Sequence, residues 1–140
     1  MERYTDSQTW VIVFDKGYGP IRWFYRLWHK EFQHVHLLRD NRDYCLMVNP
    51  FAHCTAIREY PNTLFDIIQQ ELKQNPTAVL QITTHYGSFY KPAPIELLTC
   101  VSMVKRILCI NSILVLTPKQ LYWELIKAGA IVIKPYIPNV

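Results

Sequence analysis

Much is missing from this chain, and each absence narrows what it can be. No apolar run approaches the ~18 residues that a membrane-spanning helix needs, so no membrane span is expected. The first residues, Met1-Glu2-Arg3-Tyr4-Thr5-Asp6, are polar and lack the apolar core of a targeting peptide. The four cysteines (45, 54, 100 and 109) contain no CxxC pair, so reduced, cytosolic thiols are expected rather than a disulfide framework. There is no repeat and no low-complexity segment. Glycine is scarce, with four residues against nine prolines, five of them beyond residue 90. The net charge is +4, but the positives are scattered rather than run together. That implies at most a mild attraction to anionic partners, and nucleic acid is not the expected one.

Apolar residues, by contrast, make up half the chain and aromatics 14%, enough for a packed interior and wrong for disorder. At 140 residues the length fits a single domain spanning 1–140, with a core over about 10–134. Trp10-Val11-Ile12-Val13-Phe14 reads as a first strand. Ile21 to Lys30 mixes Arg22, Arg26 and Lys30 with Trp23, Phe24, Tyr25 and Trp28. It reads as a short helix that packs its rings and snorkels its cations, or as a docking surface. His34 to Asp40 and Asp43 to Asn49 then form a hairpin around Asn41-Arg42, whose paired positions sum to 83. In that register Leu38 faces Cys45, His36 faces Met47 and His34 faces Asn49. Directly opposed residues share a face, so an imidazole and a side-chain amide become neighbours.

Further strands are expected over His53–Glu59, Ala78–Thr84 and Ala130–Lys134. A helix capped by Asn62 should run from Thr63 to about Gln74, with Leu64, Phe65, Ile68 and Leu72 on one side. His85 to Pro94 reads as an irregular loop. Thr117-Pro118-Lys119-Gln120 is the best helix start in the chain, with a Thr cap, Pro at the first position and Gln at the third. Gly129 stops that helix. The sum is an α+β domain with a mostly antiparallel sheet and packed helices.

The chemistry centres on Leu98 to Leu108. Thr99 suits an N-cap, Val101, Val104, Ile107 and Leu108 recur at helical spacing, and Lys105 and Arg106 fall in the last turn, where cations suit the dipole. Cys100 then opens the helix, where free amides and the positive end of the dipole lower a thiol's pKa. The alternative is a cysteine packed as a small hydrophobe. Cys100, His34 and Asn49 together make a nucleophile, a base and an orienting partner. His34 and His36, two apart on a strand, share a face, and His53, Cys54 or His85 would be needed to complete a zinc set. No spacing matches a zinc signature, so no metal and no cofactor are expected.

The order His34, Asn49, Cys100 reverses that of papain. It resembles the circularly permuted papain-like families, which include the lecithin:retinol acyltransferase-like proteins and permuted relatives of the NlpC-type cell-wall amidases. The runs Phe32-Gln33-His34-Val35, Leu98-Thr99-Cys100-Val101 and Thr117-Pro118-Lys119-Gln120-Leu121-Tyr122 also look like a family of small tailed-phage proteins. The resemblance covers about residues 30 to 127 and implies a permuted papain-like fold. It further implies a cysteine peptidase or amidase, or an acyltransferase, acting on an amide or thioester such as a peptide or peptidoglycan. Cys100 would be the nucleophile, His34 the base and later the acid, and Asn49 the orienter. A location in the host cytoplasm or the virion follows from the same resemblance. A fold can outlive its activity, so the alternative is a non-catalytic virion or assembly protein. That protein would dock on other phage structural proteins through the 22–30 stretch or the tail Ile131 to Val140.

Overall fold

Alternating and continuous apolar runs become one antiparallel sheet. The computed structural model describes residues 7–16, 31–41, 43–50, 54–85, 100–110 and 115–138. In chain order the elements are β1 (Ser7–Asp15), β2 (His34–Asn41), β3 (Tyr44–Pro50), β4 (Thr55–Tyr60), α1 (Leu64–Lys73), β5 (Ala78–His85), α2 (Cys100–Ile107), α3 (Pro118–Lys127) and β6 (Ile131–Lys134). The strands lie in the order β4-β3-β2-β1-β5-β6, and every pairing is antiparallel. The α+β class expected from the sequence is therefore what the chain adopts.

β1 lies between β2 and β5 and is buried on both faces, which is why Val11-Ile12-Val13-Phe14 is uninterrupted by polar residues. Side chains alternate across the sheet, and two apolar clusters result. On one face Ile12, Phe14, Val35, Leu37, Val48 and Leu80 pack against Cys100, Val101 and Val104 of α2 and Leu121, Tyr122 and Leu125 of α3. On the other Val11, Val13, Leu38, Cys45 and Val79 pack against Ile67 of α1. Phe14, Phe32 and Tyr122 meet with ring centroids 5.6–5.7 Å apart.

The expected start of α3 forms in full. Thr117 Oγ1 accepts from the Gln120 amide, and Gln120 Oε1 accepts from the Thr117 amide, at 3.2 and 3.1 Å. Gly129 follows the helix with φ +87°, a left-handed conformation that favours glycine.

Three local expectations need correction. The cap of α1 is Thr63, not Asn62, with its hydroxyl accepting from the Asp66 amide. The buried residue of α1 is Ile67, whereas Phe65 is 69% exposed. The hairpin register sums to 85, since Asn41 pairs with Tyr44 and Leu38 with Met47. β2 is paired through Asn41 and β3 from Tyr44, one residue later in each strand than an Asn-Arg turn implies. A slip of two preserves the face of every side chain, so the grouping of His34, His36 and Asn49 survives the change. The 21–30 stretch, His53, residues 86–94 and Thr99 lie outside the described residues.

Candidate active site

His34 opens β2 and is buried. Its Nε2 lies 2.5 Å from Asn49 Oδ1 on β3. The observed register, continued by one pair, sets Asn49 opposite His36, so the amide reaches His34 along the diagonal rather than straight across. An amide oxygen only accepts, so Nε2 carries the proton and Nδ1 is the basic nitrogen of a neutral ring. Burial lowers the pKa of His34. The Asn49 bond and the Asp15 carboxylate pull it up, and the charge of His36 pushes it down again; the net direction is down. His34 is thus uncharged at neutral pH, as a base must be.

Cys100 is the first residue of α2 and is buried within the larger apolar cluster. The expectation of a depressed thiol pKa is not met. Burial raises it to about 11, although the backbone amides of Val35, Val101 and Cys100 itself donate to the sulfur and pull the other way. The helix-start effect is present, but desolvation of a thiolate in an apolar pocket is larger. The thiol rests protonated.

His34 and Asn49 are therefore in contact, and Cys100 approaches them through the backbone, with its sulfur on the amide of the residue next to His34. Asp15 is electrostatically felt by both the thiol and the imidazole. Among the described residues no hydrogen bond joins Cys100 to His34. Alternation turns the Val35 side chain toward α2 and the His34 ring toward His36. The two side chains therefore leave β2 on opposite faces, and His34 would have to swing off its Asn49 contact to bring Nδ1 to the sulfur.

Beside this group lies an arrangement that sequence reasoning missed. His36 is 2% exposed. Its Nε2 is 3.1 Å from Glu71 Oε1 on α1, and its Nδ1 is 3.5 Å from Asp15 Oδ2 on β1. The first is a hydrogen bond, and the second an ion-pair contact longer than one. The rings of His34 and His36 stack with centroids 6.1 Å apart. Burial alone would lower the pKa of His36, but the two carboxylates outweigh it and raise the value to about 9. His36 is an imidazolium at neutral pH. The only local signal was the His-x-His spacing, because Glu71 is 35 residues away.

Among the described residues no group of three or more His, Cys, Asp or Glu is arranged to hold a metal ion. Of the further zinc ligands considered, Cys54 is exposed. His53 lies outside the described residues, as does the side chain of His85. No helix among the described residues is long and apolar enough to cross a membrane. Comparison with known protein families, with curated proteins and with solved structures finds no match for the chain.

Proposed function

We propose that the chain is a cysteine hydrolase or acyltransferase of permuted papain-like type, acting on an amide or thioester through an acyl-enzyme. The observation that carries this reading is the buried His34–Asn49 bond at the end of β2, beside a thiol whose sulfur lies on the Val35 amide. In the reaction His34 Nδ1 takes the proton from Sγ as the sulfur bonds to the carbonyl carbon. The carbonyl oxygen gains the electron pair and is met by the amides at the start of α2. Collapse breaks the bond to the leaving amine or thiol, which departs with the proton from His34. Water or an acceptor then attacks the thioester, with His34 again taking and returning the proton. Asn49 sets the neutral, Nε2-protonated form of the resting ring, from which the ring moves to the sulfur. A peptide or peptidoglycan amide fits this chemistry, in a host cytoplasm or a virion.

The test is the pH dependence of iodoacetamide alkylation, read peptide by peptide, in the wild type and in His34→Ala. With a thiol pKa near 11, an unassisted Cys100 gains reactivity only toward that pH. Assistance by His34 adds a rise at the lower pH where the ring loses its proton, below 6.5. The reading expects that limb in the wild type and its loss in His34→Ala. Superimposable profiles overturn it.

A second reading, a non-catalytic docking module of a phage particle, is favoured by one observation. Strand β6 ends the sheet and exposes Ile131 and Val132, 61% and 44% accessible. An extended segment of a phage structural protein could add to this edge. The tail offers less than the sequence suggested, as Tyr136 packs on Phe32 with ring centroids 4.7 Å apart. Co-purification with virion proteins that survives Cys100→Ala and fails on Val132→Lys would support this reading. A monomer that passes through assembly unattached would remove it.

A further inference from the structure

We propose that His36, clamped as an imidazolium between Asp15 and Glu71, is a positioning residue that holds the neighbouring His34 as a neutral, Nε2-protonated base. This inference deepens the hydrolase reading and rests on it for its functional meaning.

Geometry supplies the first argument. The clamp ties three elements together: Asp15 from β1, His36 from β2 and Glu71 from α1. Asp15 is also the cross-strand partner of His34, so one carboxylate stands beside both rings. The second histidine is stacked on the first and buried, so its orientation is set by packing and two ion pairs. A residue so fixed limits where the His34 ring can lie. Asn49 on β3 takes the other side of that ring. Two neighbours thus define its resting position.

Charge supplies the second argument. A protonated His34 would place two imidazolium rings side by side in a poorly solvated site. Among the described residues, Asp15 on β1, Asn49 on β3 and Glu71 on α1 face this pair, while Cys100 on α2 lies on the other side of the sheet. Both carboxylates already contact His36, so the positive charge is more favourably held there than on His34. The direction of the His34 shift agrees, with His36 among its lowering causes. A purely apolar neighbour at position 36 could not divide the two rings' protonation in this way. The raised value of His36, about 9, keeps the division in force across the neutral range.

The experiment reads the imidazole nitrogens by nuclear magnetic resonance on isotope-labelled full-length protein, assigned by omission in His34→Asn and His36→Gln. In the wild type at pH 7 the expected result is a doubly protonated His36 beside a neutral His34 carrying its proton on Nε2. Replacing His36 by Gln should raise the titration midpoint of His34, and His36→Lys, which restores the charge, should keep it low. A neutral His36 at pH 7, or a charged His34, overturns the proposal from the wild type alone, whatever the variants do. An unmoved or lowered His34 midpoint in folded His36→Gln also overturns it. These titrations read no chemistry at Cys100. Alkylation that ignores His34 sinks the hydrolase reading, while a failed titration beside His34-dependent alkylation sinks only the positioning role.

Discussion

The two faces of the sheet are built from the same alternating strands, yet they solve opposite problems. The face under α2 and α3 carries the larger apolar cluster, from Trp10 to Leu125, and takes in even its thiol, Cys100, as a packing group. It buries Lys105 of α2 with the ammonium donating to the Val115 carbonyl. The face under α1 holds a smaller apolar cluster and, at one end, His36 between two carboxylates. One strand supplies both: Val35 and Leu37 turn one way and His36 and Leu38 the other. The lesson is that period-2 alternation does more than bury a core. It lets a single stretch, His34 to Leu38, keep an ionised cluster apart from an apolar interior while both lie within a few ångströms of the same backbone.

The comparison breaks most visibly on the apolar side. Leu80 is fully buried there, and Leu80→Ala should cost about 2–5 kcal/mol. Denaturant melts at pH 6 and at pH 9 should give the same loss, because no titrating group contributes to the deletion. A loss confined to one pH would mean that the two faces are coupled.

The α1 face should respond to pH instead. The pKa of His36 is raised from 6.5 to about 9 on folding. A raised histidine stabilises fully below the unfolded value and loses that contribution as pH climbs through the folded one. Between pH 6 and pH 9.5 the wild type should therefore lose of order 3 kcal/mol from this group. His36→Gln should be less stable at pH 6 and nearly flat over that interval. Equal slopes for both proteins would show that the charge on His36 is not what the fold gains.

How much of this was legible from the chain differs between the faces too. The apolar face follows from local signals: a β-branched run at Trp10–Phe14, helical spacing at Val101 and Val104, and the Thr117–Gln120 box. The hairpin was readable, but its register was not. Neither Asn41-Arg42 nor the next pair contains a glycine to decide the turn, and Asn41 pairs with Tyr44 instead of opening the turn. Asn62 and Thr63 are both good caps, and the chain uses the second. The cluster on the other face was invisible, since Asp15, His36 and Glu71 meet only once three elements have packed. Cys100 shows the same limit. Its position at a helix start is a local fact, but its pKa is decided by a burial that no local pattern reports.

The Thr117 cap offers a smaller test on the apolar side. Thr117→Ala removes the hydroxyl that accepts from the Gln120 amide and should cost about 1 kcal/mol. The loss should be equal at pH 6 and pH 9, like that of Leu80→Ala. If it grew with pH, α3 would be sensing the charge on His36 across the sheet.

The smallest expected effect tests how α1 lies on its face. Phe65 is 69% exposed, so Phe65→Ser should change stability by no more than about 0.5 kcal/mol. Ile67→Ala, two residues on and 4% exposed, should cost about 2 kcal/mol or more. The contrast matters beyond α1 itself. Ile67 and Glu71 are four residues apart and share one side of the helix, so the rotation that buries Ile67 is the rotation that brings Glu71 to His36. A large loss at Phe65 with little at Ile67 would mean that the helix is turned. It would then carry Glu71 away from the imidazole, and the pH dependence expected of His36 should fall with it.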